Sequence, residues 1–381
     1  MLAENQYHSY NYGELPLGCQ YCVRGEKLVL FATGICPRTC YFCPVSDQKY
    51  NHDVTYANER KVTKTEDLIK EAQLMNAKGA GITGGDPLAK LDRTIKSIKL
   101  LKQTFGTEFH IHLYTSLTLV TETTLQQLYN AGLDEIRFHL DLESDRFWKK
   151  IELARRFPWD IGIELPLIPT KEQETKKAID YIQDKVQFIN LNELEIADNA
   201  QSKLADMGFK TKSQFSYAIQ GSVELGIRLI NYIETNKYPL KVHVCTAKLK
   251  DAIQLTNRLK RESQGMKQQF DIIDKNGVLI RGAIYLPELA PGFDYRKKLS
   301  ELTPEKKQEL ISKLTLIQQQ LKTELQFQDQ DIFLDPEKYR LLISAKNART
   351  HANAIKQKNL LIARVEEMPT ADQLELEVEF L

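Results

Sequence analysis

The chain has 381 residues, with 52 Lys+Arg against 51 Asp+Glu and 42% hydrophobic residues, enough for one large domain with a substantial core plus an appendage. The near-balance of charge excludes a global field that would draw the protein to nucleic acid or an anionic membrane. No stretch has the apolar length of a membrane span, and the N-terminus lacks the basic and apolar regions of a secretory signal, so a cytoplasmic protein without membrane insertion is expected.

Residues 1–26 form an N-terminal segment that carries Gly18-Cys-Gln-Tyr-Cys, where Cys19 and Cys22 have the two-residue spacing of ligands on a tight turn. Five of the six cysteines fall between positions 19 and 43; in a reducing compartment they read as metal ligands, not disulfides. A first strand over Lys27–Thr33 leads into Cys36, Cys40 and Cys43. Their three-then-two spacing suits three irons of one 4Fe-4S cluster and leaves the fourth iron open to a small molecule. The alternative is zinc, but structural zinc prefers four ligands, commonly as two separated pairs. Only His52 follows closely enough to help.

Thr63 and Glu66 suggest a capping box ahead of a helix, and Gly79–Thr83 reads as a second strand running into Gly84, Gly85, Asp86 and Pro87. Paired glycines let backbone approach a ligand closely, and their carbonyls can accept from an ammonium group. Further strands begin at Phe109, Glu135, Ile161 and Phe188, at the near-constant spacing of βα units, with amphipathic helices between. Six strands are too few for a closed eight-stranded barrel. The cysteines follow the first strand and the glycines the second, at carboxyl ends of parallel strands where such folds bind ligands. Polar residues in or after later strands, namely Tyr114, Thr115, Arg137, His139, Glu164, Asn190, Asn192 and Glu193, are costly in a core without partners and are candidates for the same mouth.

A helix near 222–236 precedes Leu240–Cys245, a strand with His243 and Cys245 on one face by its period of two. Cys19, Cys22, His243 and Cys245 together suggest a second metal site, either zinc or an auxiliary cluster on the three cysteines with His243 or substrate at the remaining iron. Lys248, Lys250, Arg258, Lys260 and Arg261 make a basic stretch, read as a solvated face or a phosphate or RNA contact. From 266 to 381 the pattern changes: a hairpin at Asn276-Gly277, a long helix opened by Thr303-Pro304, and further strands predict a smaller α+β domain that covers the barrel or recruits a partner.

The runs Leu15–Cys22, Cys36–Pro44, Tyr56–Arg60 and Gly81–Pro87 together resemble the radical S-adenosylmethionine (radical SAM) superfamily, and within it a largely archaeal group related to pyruvate formate-lyase activating enzyme. The likeness runs from about residue 14 to 262. It implies an α/β fold with a partial (β/α)6 barrel over 27–265 and a 4Fe-4S cluster on Cys36, Cys40 and Cys43. Reductive cleavage of SAM would then give a 5′-deoxyadenosyl radical that abstracts hydrogen from a substrate. Gly84 to Pro87 are similar to the family's Gly-Gly-Glu-Pro motif, with Asp86 in place of Glu, and would hold the SAM amino group. Phe42 matches the position that packs on adenine; Arg137 is expected at the SAM carboxylate and Glu164 at the ribose or substrate. The implied partners are SAM, an electron donor such as ferredoxin or flavodoxin, and a substrate that is a small molecule, a protein or a tRNA. The paired cysteines, Asp86 and the added C-terminal region depart from the activating-enzyme pattern. A zinc-stapled barrel that binds RNA or phosphate without radical chemistry is the competing reading.

Overall fold

The computed structural model describes residues 3–381, so the first two residues of the N-terminal segment lie outside it. The chain forms two compact units, one ending at Arg258 and one running Leu259–Leu381. The sequence suggested a boundary at 265/266. Contacts divide earlier because the residues after 258 pack on the hairpin turn of their own unit: Ser263 Oγ donates to Gly277 O, and a Cβ at Gly277 would lie 2.7 Å from Lys260 N.

The first unit is built on one sheet of β1 (Tyr10–Tyr12), β2 (Lys27–Phe31), β3 (Tyr56–Ala57), β4 (Arg60–Lys61), β5 (Gly79–Thr83), β6 (His110–Ser116), β7 (Glu135–His139), β8 (Asp160–Leu167), β9 (Phe188–Glu193) and β10 (Lys241–Cys245). Their order is β1-β10-β9-β8-β7-β6-β5-β2-β3-β4. From β2 through β10 the ladder is parallel, so Lys241–Cys245 adds a seventh parallel strand to the six expected. The two ends of the sheet do not pair with each other, and the barrel is partial. The N-terminal segment belongs to this sheet, with β1 antiparallel to β10.

Period two along these strands separates two chemistries. One face carries Leu28, Leu30, Ile82, Ile111, Leu113, Ile136, Phe138, Ile163, Leu191 and Val244, which make one core with Leu68, Ile98, Leu101, Leu125, Leu128, Ile179, Leu229 and Ile233 of the crossover helices. The alternate positions carry Lys27, His110, His112, Tyr114, Glu135, Arg137, Glu164, Asn190, His243 and Cys245, nearly all buried. The barrel interior is therefore lined with polar and titratable groups.

Helices α1 (Leu17–Val23), α2 (Thr65–Leu74), α3 (Leu91–Phe105), α4 (Glu122–Ala131), α5 (Ile151–Ala154), α6 (Glu172–Ile182) and α7 (Ser222–Thr235) complete this unit. The cap of α2 differs from expectation: Asp67, not Glu66, accepts from Thr63 N at 2.9 Å and Lys64 N at 3.0 Å. The helix starts a residue later than the sequence pattern suggested, and that makes Asp67 the third helical position. In the second unit β11 (Ile272–Ile273), β12 (Leu279–Tyr285), β13 (Ile332–Asp335), β14 (Arg340–Ile343), β15 (Leu361–Glu367) and β16 (Glu375–Phe380) form an antiparallel sheet. Helices Pro304–Leu325 and Ala345–Lys356 bury Leu310, Leu314, Leu321, Ala348 and Ile355 in its core. Among the described residues no helix is long and apolar enough to cross a membrane.

Candidate metal and cofactor site

The cysteine loop is laid against the glycine turn by backbone hydrogen bonds that prolong the β2–β5 ladder. Ala32 N donates to Thr83 O at 2.8 Å, Gly85 N to Thr33 O at 2.7 Å and Asp86 N to Ile35 O at 2.8 Å. This close approach is why both glycines are needed: Gly84 has φ +144°, and a Cβ on it would sit 2.4 Å from Thr33 O, while one on Gly85 would sit 2.5 Å from Ile35 O. The crowding that a Cβ would meet comes from the cysteine loop. Gly34 N donates to His52 O at 2.9 Å and Asn51 N to Gly34 O at 3.0 Å, closing the loop on itself.

Cys36, Cys40 and Cys43 open onto a cavity of about 740 Å³ that Phe42, Gly84, Gly85, Arg137 and Glu164 also line. Burial pushes the Cys36 thiol up to about 11, and the Cys40 and Cys43 thiols also rise. Backbone N–H groups of Arg38 and Val45 oppose this by bonding Cys36 and Cys43, donors suited to a metal-bound thiolate. Among the described residues no three of these sulfurs lie within 4.8 Å of one another. Four ligands on one zinc ion stand only about 3.8 Å apart, given a Zn–S bond of about 2.3 Å; separate irons of a cluster allow a wider spread. The donor set fits a three-thiolate cluster better than a single ion.

Asp86 and Pro87 do not line the cavity. The Asp86 carboxylate is fully buried and accepts from Thr115 Oγ1 at 2.7 Å, Ser116 Oγ at 2.7 Å, Ser116 N at 3.1 Å and Leu88 N at 3.0 Å. Burial raises its pKa against these bonds. It latches the glycine turn to the end of β6. Pro87 O accepts from Thr94 Oγ1 at 2.8 Å, inside the fold.

Arg137 reaches the cavity wall, but its guanidinium is engaged on every nitrogen. Nε donates to Glu135, Nη1 to Glu164 Oε1 at 2.7 Å and Tyr114 OH at 3.2 Å, and Nη2 to Cys19 Sγ at 3.4 Å. Glu164 also accepts from Asn190 Nδ2 at 2.6 Å and Asn192 Nδ2 at 2.7 Å. The pair therefore forms a network across β7, β8 and β9, and both side chains line the cavity.

Cys19 and Cys22 come into this interior on α1, which presses so closely that a Cβ at Gly18 would lie 2.6 Å from Arg137 Nη2 and 2.8 Å from His112 Nδ1. Cys19 Sγ accepts from Asn190 Nδ2 at 3.2 Å. His243 pairs in register with Asn190, and Cys245 packs with Val23 at the end of α1. The fold thus brings into one region the four residues that the sequence suggested for a second site. As with the first loop, no three of their ligand atoms lie within 4.8 Å.

The sequence reading missed the connection from β9 to α7, residues 194–221. Asn199 Nδ2 donates to Cys43 O at 3.0 Å and Val45 O at 2.9 Å, Ala200 N to Asp47 Oδ1 at 3.0 Å and Lys203 N to Tyr41 O at 2.7 Å. Leu204, Ile196 and Phe209 pack with Tyr41 and Phe42. The available signal was length, since so long a connection at a strand's carboxyl end is commonly functional. In the basic stretch, Lys250 pairs with Glu195 and Arg258 with Glu59 at 2.6 Å, so two cations offered for phosphate or RNA are already neutralised.

The profile of the Radical SAM superfamily matches residues 30–185. A protein of Methanocaldococcus jannaschii, provisionally described as a glycyl-radical enzyme activating enzyme, is 42% identical over 286 residues, 73% of this chain and 75% of that protein. A biotin synthase of Rickettsia felis is 30% identical over 137 residues, 35% of this chain and 41% of the synthase. Among solved structures, a maturase of the FeFe hydrogenase, HydG, aligns with a TM-score of 0.41 at 12% identity, covering 65% of each chain.

Proposed function

The chain belongs to the radical SAM superfamily and is an enzyme that cleaves SAM with a 4Fe-4S cluster; from this premise we propose that Cys36, Cys40 and Cys43 hold that cluster and that the cavity beside it receives SAM and substrate. When bound, the cluster supplies the electron that splits SAM into methionine and a 5′-deoxyadenosyl radical. What supports this assignment is one observation: the three thiols and the Gly84–Gly85 turn line a single cavity at the carboxyl ends of β2 and β5.

The carbonyls of the glycine turn accept from the SAM ammonium group, and Phe42 packs on its adenine. Glu164 takes the ribose or substrate hydroxyl on its cavity side. Arg137, with its nitrogens committed to Glu135, Glu164 and Cys19, acts as a positioning residue that orients Glu164; this replaces its expected contact with the SAM carboxylate. Asp86 and Pro87 fix the turn from behind and do not touch the cofactor. Cys19, Cys22, His243 and Cys245 hold a second metal group, a cluster or a zinc ion.

The description of the archaeal relative favours a protein substrate from which hydrogen is abstracted; a small molecule or a tRNA would be the other outcomes of a substrate screen. A cytoplasmic ferredoxin or flavodoxin is the fitting electron donor. After anaerobic reconstitution, dithionite and SAM should yield 5′-deoxyadenosine, and Cys36→Ala, Cys40→Ala and Cys43→Ala should each abolish it. Undiminished product from these variants would overturn the ligand assignment.

A further inference from the structure

Outside the lining of the proposed SAM cavity, the first unit holds three buried or part-buried thiols and an imidazole that the SAM chemistry does not use. His243 is 1% exposed, and neither of its ring nitrogens has a hydrogen-bond partner. A buried polar atom left unpaired is costly, and such orphans in native proteins commonly mark a missing ion or a functional role. His243 has two, beside Asn190 in register, and Asn190 is itself bonded to Cys19. Cys22 follows Cys19 by nearly one turn of α1, on the same face. Cys245 shares the face of β10 with His243 and packs against Val23, the residue after Cys22. One strand, β10, and one helix, α1, therefore bring three sulfurs and one unpartnered imidazole into the same part of the fold.

Resting on the reading that these four residues bind metal, we propose that the metal is a second iron–sulfur cluster, of the 4Fe-4S type, with Cys19, Cys22 and Cys245 on three irons and His243 on the fourth. Spacing favours a cluster over zinc: no three of the ligand atoms fall within 4.8 Å of one another, whereas the ligands of one tetrahedral zinc stand about 3.8 Å apart. The surroundings suit thiolates. Arg137 Nη2 and Asn190 Nδ2 both donate to Cys19 Sγ. Hydrogen bonds to sulfur and nearby positive charge are what a protein uses to hold and tune such a cluster. The same Arg137 donates to Glu164 on the wall of the SAM cavity, so a single side chain joins the two sites.

The test is metal content, which does not depend on turnover. The full-length Cys36→Ser/Cys40→Ser/Cys43→Ser variant, reconstituted anaerobically with iron and sulfide and then desalted, is expected to retain about four irons and about four sulfides per chain, as a 4Fe-4S cluster contains. One zinc per chain without iron would overturn the cluster and leave the metal site standing; neither metal would overturn both. Should that variant not fold, the native chain gives a second measurement: about eight irons per chain are expected for two such clusters, and about four would overturn the proposal. His243→Ala should change the electron paramagnetic resonance signal of the reduced second cluster. An unchanged signal removes His243 as its ligand.

Discussion

At Arg137 a single side chain decides the character of the barrel interior. Its charge is 1% exposed and is balanced by two carboxylates, Glu135 and Glu164, that are themselves buried. A buried ion pair contributes little net stability, but removing one partner strands the other charge in a medium that cannot solvate it. Arg137→Met should therefore lower the stability of the metal-free protein by about 3–5 kcal/mol, read from the midpoint of urea unfolding. A loss below about 1 kcal/mol, the range of an exposed pair, would mean that water reaches the two glutamates. From the sequence, Arg137 was visible as a polar residue in an apolar strand, and its partners were not. Glu135 lies two residues away, but Cys19 and Glu164 meet Arg137 only through the pairing of β7 with β8 and the insertion of α1.

At the scale of elements, the β9–α7 connection acts as a clasp on the cysteine loop. Asn199 spans the carbonyls of Cys43 and Val45, and its own Oδ1 accepts from Gln201 N at 3.1 Å and Ser202 N at 2.7 Å. The amide is fixed on both sides, so it restrains the segment that bears the last cysteine. Asn199→Ala removes all four of these hydrogen bonds, the two to the cysteine loop and the two its own oxygen accepts, each worth about 1 kcal/mol. The expected result is faster iron loss to a chelator from the reconstituted protein, together with a lower melting temperature of the metal-free chain. Equal rates of iron release in variant and native protein would remove the clasp. The strands and helices of this region were legible because their apolar periods repeat. The clasp was not, because its contacts join residues more than a hundred and fifty positions apart through backbone carbonyls, which carry no side-chain signature.

At the scale of the whole molecule, burial in the barrel interior pushes Lys27 and His110 toward their neutral forms. Burial holds Lys27 down to about 7 and His110 down to about 3, and the two stand 2.6 Å apart, Nζ to Nδ1. Protonating both would place two cations in contact. In the unfolded chain these groups take up protons near 10.5 and 6.5, above their folded values. As pH falls, the unfolded state therefore binds protons first, and stability is lost: from about 10.5 to about 7 through Lys27, and from about 6.5 to about 3 through His110. The metal-free protein should unfold at progressively lower urea concentration across the second window. His110→Gln should flatten that decline, and an unaltered slope would show that other groups govern it.

The sequence by itself determined what local spacing can determine. The three cysteines of one loop, the paired glycines at a strand end and the alternation of strands with amphipathic helices are short-range patterns, and each was readable from residue type and interval. Only the tertiary structure decided which polar side chains meet. It set Asp86 against β6 instead of the cavity, turned Arg137 toward Cys19 and Glu164, and carried His243 and Cys245 across the sheet to α1. The physical reason is that a parallel sheet brings residues of distant strands into lateral contact along its polar face, and the register that sets those contacts depends on every intervening crossover.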